Sequence, residues 1–165
     1  MKILSPPGIA VVGTRPLAPY GSGMAERLSI DLVAHGLAVF SGHGAWRRHC
    51  RAPPAAIAAK GKTVAVFGAG VDVLYPRENS RLAEQILALG GALISEFALG
   101  TFAAPQNFPI RDRIISGLSI GVLVVEAAEY SGTRTTARCA LEQNRDVLAV
   151  PGNVSYKNSW APVLS

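Results

Sequence analysis

The chain is poor in cysteine and has no long apolar run. These two features argue against a disulfide-rich protein and against a membrane-spanning protein. Only two of its 165 residues are cysteines, which is too few for a disulfide framework and is typical of a reduced, cytoplasmic setting. No apolar run reaches the ~18 residues that a membrane-spanning helix needs. The first residues also lack a signal-peptide pattern, because Pro6, Pro7 and Gly8 interrupt the apolar stretch. We therefore expect a cytoplasmic protein with no membrane partner.

Acidic residues are absent from the whole stretch between Asp31 and Asp72. That interval carries five basic residues, which equals the net charge of +5 on the chain. A basic excess favours polyanionic partners such as nucleic acid. A solvated cationic loop accounts for the same charges equally well, so the charge alone does not decide between them.

Several cofactor motifs are missing. Gly68 and Gly70 begin a dinucleotide fingerprint, but Val73 stands where the third glycine is required, and this excludes NAD. The SGTRTTA stretch that starts at Ser131 lacks the lysine of a P-loop, so hydrolysis of a nucleoside triphosphate is not indicated. The spacing of the three histidines fits no metal-ligand pattern. We predict no cofactor, no metal site and no enzymatic activity.

Short apolar runs alternate with segments of helical period along the chain. The runs predicted as strands are 9–12, 37–40, 63–67, 92–95, 120–125 and 147–150. The segments predicted as helices are 21–35, 78–89, 111–118 and 135–144. Continuous apolar strands that alternate with helices are typical of a mostly parallel sheet with helices on both faces. We predict an α/β, Rossmann-like fold in which residues 1–165 form a single domain.

Ligands of such sheets bind where the strands end, and here glycines, hydroxyls and arginines follow the strands. A helix N-terminus and the planar fork of arginine both suit a phosphate. The predicted phosphate-binding residues are Gly13, Thr14, Arg15, Ser41, Gly42, Arg111, Arg113, Ser131, Gly132 and Thr133. An ordinary turn with a surface arginine explains the first group equally well, and simple N-capping explains the last.

Three glutamates near strand ends are candidate catalytic carboxylates: Glu96, Glu126 and Glu129. Glu126 directly follows the fifth predicted strand and is the best placed of them. Capping a helix or pairing with an arginine is the more frequent role for a carboxylate in this position.

Several stretches of the chain resemble the DprA/Smf family of DNA-processing proteins. They are VVGTRPLAPYG, GLAVFSG, VAVFGAGVDVLYPRENSRLAEQI, GALISEFALGTFAAPQNFPIRDRIISGLS, VVEAAEYSGTRTTARCALEQNRDVLAVPGN and KNSW. The resemblance implies an extended Rossmann-like domain that binds single-stranded DNA in natural transformation, forms a homodimer and helps to load RecA. It also implies that Arg15, Arg111 and Arg113 contact phosphates.

One residue departs from the family pattern inside this motif. Asp112 stands where the family usually has asparagine, so a carboxylate lies between two phosphate-seeking arginines. Four aromatic residues are near enough in sequence to stack on bases, although core packing is the more frequent role: Tyr75, Phe102, Phe108 and Tyr130.

The resemblance breaks from His43 to about Ala56. The family reads roughly SGxARGxDxxAHxGA after the second strand, whereas this chain reads SGHGAWRRHCRAPPAAI. Codons for this stretch, read after the loss of one base, permit MARGVDTAAHR, and the tryptophan codon forces the glycine. We favour a local frameshift, and genuine divergence of a loop is the alternative. The paired prolines Pro53 and Pro54 are expected to disfavour a helix here.

Two rival functions remain open from the sequence. A phosphoribohydrolase of the lysine-decarboxylase-like family shares this general fold, but its PGGxGTxxE motif is replaced by YSGTRTT. The other rival is an inactive remnant, because the chain ends at Ser165 and we expect neither an N-terminal helical module nor a C-terminal winged-helix module.

Overall fold

The computed structural model describes residues 6–14, 17–42, 51–128 and 131–152. Within these ranges the strands are β1 (Gly8–Val12), β2 (Ala38–Gly42), β3 (Thr63–Val66), β4 (Ala92–Ile94), β5 (Gly121–Val124) and β6 (Asp146–Ala149). The α-helices there are α1 (Pro19–Ala34), α2 (Ala52–Ala58), α3 (Ser80–Ala88), α4 (Asn107–Leu118) and α5 (Gly132–Glu142). A short 3-10 helix, Arg77–Asn79, leads into α3.

The six strands of the described residues form one sheet in the order β4-β3-β2-β1-β5-β6, and every neighbouring pair is parallel. Successive strand residues point to opposite faces. In β1, Ile9 and Val11 pack with α1 and α2, whereas Ala10 packs on the side of α4 and α5. The predicted α/β fold, with a parallel sheet and helices on both faces, is confirmed.

Glycines end two of the helices as the sequence indicates. Gly36 follows α1 at φ 75° and Gly90 follows α3 at φ 72°. A positive φ is a conformation that glycine adopts without the strain a Cβ would add. Each glycine therefore turns the chain from its helix toward the next strand.

Two predicted helix boundaries were wrong at the N-terminal end. Helix α4 begins at Asn107 and not at Arg111, and helix α5 begins at Gly132 and not at Thr135. Pro109 lies in the first turn of α4, where a missing N–H leaves no helical hydrogen bond unmade. Because α5 starts earlier than predicted, its N-terminal N–H groups, which have no partner within the helix, directly follow Ser131 in the chain.

The prediction that Pro53 and Pro54 disfavour a helix was also wrong. Both prolines lie in the first turn of α2, whose residues Ala52, Ala55 and Ala56 are buried against the sheet. The first four N–H groups of any helix lack a partner within the helix, so prolines are tolerated there. The rest of the segment that departs from the family pattern, residues 43–50, lies outside the described residues.

None of the described helices combines the length and the apolar character that crossing a membrane requires.

Candidate functional site

The strand order reverses direction at β1, which lies between β2 and β5. In open parallel sheets such a reversal opens a crevice at the carboxyl ends of the two strands, and ligands bind there. Gly13 and Thr14 follow β1 at this point. Thr14 is buried, and its backbone N–H donates to the backbone oxygen of Glu126 at 2.8 Å. Arg15, the next predicted site residue, lies outside the described residues.

Arg111 is a buried residue, with 7% of its surface exposed. Its Nη1 donates to the backbone oxygen of Val66 at the end of β3, at 2.9 Å, and its Nε donates to Oδ1 of Asp112 at 3.0 Å. The guanidinium carbon also lies 5.6 Å from the ring centroid of Phe108. Arg111 therefore ties α4 to the sheet, and a phosphate contact by this residue stays a prediction.

Ser41 and Gly42 are the last two residues of β2. A Cβ at position 42 would collide with the guanidinium of Arg111, so the absence of a side chain makes room for it. Ser41 is buried in the strand. Gly42 therefore lies directly against Arg111, whereas Ser41, the preceding strand residue, faces the opposite side of the sheet.

The carboxylate of Asp112 lies near the start of α5. The residue is 6% exposed, and a Cβ on Gly132 would lie 3.8 Å from its Oδ2. A carboxylate near a helix N-terminus is stabilised by the helix dipole. The structure thus brings the predicted residue Gly132 next to an internal carboxylate that pairs with Arg111.

Ser131 occupies the N-cap position of α5, but its hydroxyl does not cap the helix. It donates to the backbone oxygen of Ala128 at 3.0 Å. Thr133, in the first turn, is buried. The simple capping role considered from the sequence is therefore wrong for the Ser131 side chain, which instead closes the turn before the helix.

Arg113 is the accessible arginine of the pair on α4. Its side chain is 55% exposed and forms an ion pair with Glu96, which follows β4. Residues i and i+2 of an α-helix are about 200° apart around its axis, so Arg111 and Arg113 face nearly opposite directions. The sequence motif suggested equivalent roles, whereas the structure gives the two side chains different surroundings.

Glu126 has a capping role, as its sequence position suggested. Its Oε2 accepts a hydrogen bond from the backbone N–H of Ala18, at the start of α1, at 3.0 Å. Ala18 has no side chain able to do this, and the first turn of α1 contains no acidic residue. The carboxylate is buried and points into the fold. Glu129, the third candidate carboxylate, and Tyr130 lie outside the described residues.

The thiol of Cys139 on α5 is not an activated nucleophile. Burial raises its pKa above the usual value, and the nearby carboxylates of Glu142 and Asp112 raise it further. A protonated thiol is a poor nucleophile. Within the four described ranges, no cluster of three or more His, Cys, Asp or Glu side chains could hold a metal ion.

Sequence reasoning missed two contacts that shape the site, the Glu96–Arg113 ion pair and the bond from Arg111 to Val66. Both partners of the ion pair were identified as candidate residues, but nothing in the sequence joined them. Helical phase was the available signal for Arg111, because position 111 shares its helix face with the buried residue Ile115.

A family model described as DNA recombination-mediator protein A matches residues 1–162. The chain belongs to this family. Curated relatives include Protein Smf from Escherichia coli, which is 45% identical over 93% of this chain and 41% of its own length. DNA processing protein DprA from Bacillus subtilis is 39% identical over 94% of this chain and 52% of its own length. The chain thus spans about half, or less, of the length of these relatives.

Solved structures of the family share the fold. DNA processing protein A from Streptococcus pneumoniae superposes with a TM-score of 0.84 at 36% identity, and the match covers 97% of this chain and 56% of that one. The Helicobacter pylori protein, whose structure is described for its single-stranded DNA binding mode, gives 0.85 at 25% identity over 99% and 74%. Molybdenum cofactor carrier proteins, such as that of Rippkaea orientalis at 16% identity and a TM-score of 0.63, share the fold alone.

Proposed function

We propose that this chain binds single-stranded DNA at the carboxyl edge of its sheet and acts in the uptake of DNA during natural transformation. The Helicobacter pylori relative, whose fold this chain shares, binds single-stranded DNA. The observation that carries the proposal is that two groups suited to phosphate follow strand ends, where parallel sheets bind ligands: the exposed Arg113 pairs with Glu96 after β4, and the N-terminus of α5 follows β5.

The carboxylates near the helix ends make the site better suited to the extended backbone of a DNA strand than to a single phosphate group. Two helix N-termini face this edge, and each has a carboxylate of the protein near it: Glu126 at α1 and Asp112 at α5. A compact phosphate would compete with these buried groups for the helix ends. A DNA backbone can instead run over the exposed arginine and place its phosphates farther apart.

The first test is to titrate fluorescently labelled oligo-dT with the protein, to follow the anisotropy, and to repeat the titration with a labelled duplex of equal length. We expect tighter binding of the single strand, and affinity that falls as salt rises because phosphate contacts release counterions. Equal affinity for the duplex would contradict the proposal of strand selectivity.

Arg113→Ala should weaken oligo-dT binding by about 1–3 kcal/mol, as loss of a charge-assisted contact does. Its stability should change little, because exposed ion pairs contribute about 0–1 kcal/mol. Arg138→Ala is the matched control, since Arg138 is also exposed and paired, with Glu142 on α5. If both variants lose the same affinity, net charge explains the effect and Arg113 is not a contact.

Phe102→Ala should weaken binding by about 1–3 kcal/mol per stacked base. Phe102 is 81% exposed. Its backbone oxygen accepts a hydrogen bond from the side-chain amide of Asn107, which ties the backbone of Phe102 to the start of α4. The control is Leu87→Ala, which removes an exposed apolar side chain of α3. The loss should vanish with an abasic strand, and a loss that persists there would contradict stacking.

We propose further that the chain has no catalytic activity. The phosphoribohydrolase alternative is not favoured, because the chain belongs to the DNA recombination-mediator protein A family. Release of base from nucleoside monophosphates would contradict this. RecA as a partner, a homodimer, a single domain over residues 1–165 and a cytoplasmic location stay predictions from the sequence and its resemblance.

A further inference from the structure

Two loops at the carboxyl edge of the sheet are fastened to each other. The β3 loop, residues 67–76, runs from β3 to the 3-10 helix, and the β4 loop, residues 95–106, runs from β4 to α4. The hydroxyl of Ser95 donates to the backbone oxygen of Ala69 at 2.6 Å. Gly70 lies so close to the β4 loop that a Cβ on it would collide with the backbone of that loop. The two loops therefore form one packed unit.

Asp72, an exposed residue of the β3 loop, adds a second connection. Its Oδ1 accepts from the backbone N–H of Gly100 at 2.9 Å, and its Oδ2 lies 3.0 Å from the same nitrogen. Gly100 has φ 78°, a left-handed conformation that glycine adopts without strain. The backbone N–H of Gly70 also donates to the backbone oxygen of Thr101 at 2.9 Å. These bonds fix the turn of the β4 loop that directly precedes Phe102.

Asn107 joins the same loops from the interior. It is the first residue of α4 and is buried. Its side-chain Nδ2 donates to the backbone oxygen of Gly68 at 3.1 Å and to that of Phe102 at 3.3 Å. An amide nitrogen carries two N–H donors, so one side chain can serve both loops. The backbone of Phe102 is therefore held by α4 as well as by the turn that Asp72 fixes.

The unit presents two aromatic rings to solvent. Tyr75 in the β3 loop is 56% exposed, and Phe102 in the β4 loop is the more exposed of the two. Tyr75 and Ala103, the residue after Phe102, line one small cavity, so the two aromatic residues lie near each other. Exposed apolar side chains gathered in one place mark an interaction surface. Aromatic rings on such a surface can stack with unpaired bases.

Charge favours DNA over an apolar protein segment as the occupant of this surface. Glu96, in the β4 loop, forms an ion pair with the exposed Arg113 of α4. The cation that we propose as a phosphate contact is therefore attached to the loop that carries Phe102. A single strand offers bases and phosphates together, and proteins that bind single strands combine a cationic track with stacking rings.

We propose that the β3 and β4 loops form a preorganised platform for unpaired bases, with Tyr75 and Phe102 as the stacking residues and Asp72 and Asn107 as the positioning residues. The platform is the source of strand selectivity, because neighbouring base pairs cover the base faces of a duplex. Loops that are already fixed lose little conformational freedom when DNA binds. The inference rests on the proposed single-strand binding function.

The first test compares oligo-dT and duplex binding in the double variant Tyr75→Ala, Phe102→Ala. Its affinity for oligo-dT should fall about tenfold or more, as loss of stacked bases does, and its affinity for the duplex should hardly change. Leu141→Ala, which removes an exposed apolar side chain of α5, should change neither. A double variant that keeps the wild-type preference for oligo-dT would overturn the platform, whereas a wild-type protein that binds no oligo-dT would overturn the proposed function itself.

Asp72 supplies a test in which positioning and charge act in opposite directions. Asp72→Ala and Asp72→Asn each remove one negative charge, but only asparagine keeps an oxygen that can accept from Gly100. Loss of the charge alone strengthens the attraction of a polyanion equally in both variants. Asp72→Ala should therefore bind oligo-dT several-fold more weakly than Asp72→Asn. Equal affinity of the two variants would overturn the positioning role of Asp72.

Asn107→Ala should weaken oligo-dT binding only while the two rings are present. In the Tyr75→Ala, Phe102→Ala background the same change should cost much less, because no ring remains to be positioned. Equal losses in both backgrounds would overturn the positioning role of Asn107. Ile9→Val removes a methylene from the core on the α1 side and controls for stability. If Ile9→Val weakens binding as much as Asn107→Ala does, the effect is one of stability and that role fails.

Hydrogen exchange gives a readout that needs no DNA. Exchange in peptides covering the β4 loop should be faster in Asp72→Ala and in Asn107→Ala than in the wild type, and close to the wild-type rate in Asp72→Asn. Unchanged exchange in both alanine variants would overturn the preorganised platform even if DNA binding were weakened.

Discussion

Arg111→Ala should be the most destabilising single change at this site, lowering the free energy of unfolding by about 3–5 kcal/mol. The variant removes the donor to the Val66 backbone oxygen and the guanidinium that pairs with Asp112, both buried. A buried carboxylate that loses its ion-pair partner destabilises the fold, because less of the cost of its lost hydration is then offset. Urea unfolding at neutral pH measures the loss.

Two companion variants make the Arg111 prediction specific. Arg113→Ala, two positions along the same helix, should change the stability by no more than about 1 kcal/mol, because its ion pair is exposed. Arg111→Lys keeps the charge but lacks the planar fork that serves Val66 and Asp112 together, so its stability should be intermediate. If Arg111→Ala unfolds at nearly the wild-type urea concentration, the buried pair does not stabilise the fold.

The fold was largely predictable from the sequence because its strands are buried on both faces. A strand such as β5, Gly121–Val124, is apolar at every position, and such runs alternating with helices are typical of a parallel sheet with a helical layer on each face. Helix starts were less predictable. Pro109 interrupts the apolar period within the first turn of α4, and prolines begin helices as readily as they end them.

The site was predictable in place but not in the roles of its residues. Strand ends and helix N-termini can be located from the chain, and Gly42, Thr14 and Gly132 do lie there. Which of the two arginines is buried depends on the phase of α4 and on the residues of the sheet against which α4 packs. The partner that Glu126 caps is 108 residues away, so no local pattern connects the two.

Three carboxylates that pair with an arginine or a helix end distinguish this site from a simple basic pocket. Glu96 pairs with Arg113, Asp112 pairs with Arg111, and Glu126 caps α1. Each of these acids holds a cationic or partly positive group in a defined place. Each also lowers the positive potential at the proposed DNA site, so we expect it to weaken the attraction of a phosphate while it fixes the geometry.

Asp112→Asn should reveal this trade most clearly, with tighter DNA binding and a less stable fold. The amide oxygen can still accept from Nε of Arg111, but the negative charge beside the guanidinium and the α5 N-terminus is gone. The positive potential at the carboxyl edge therefore rises, and affinity for oligo-dT should increase several-fold at low salt. We expect the gain to shrink as ionic strength rises, because salt screens the added potential.

The stability of Asp112→Asn should fall by about 1.5–3 kcal/mol, the contribution of a hydrogen bond to a charged group. Asp146→Asn is the matched control, since Asp146 is exposed at the first residue of β6, on the opposite edge of the sheet. Both variants change the net charge equally, so a gain in affinity seen only with Asp112→Asn locates the effect at the carboxyl edge. Equal gains in the two variants would mean that net charge alone governs binding. No gain in either at low salt would mean that DNA binds too far from Asp112 to sense its charge.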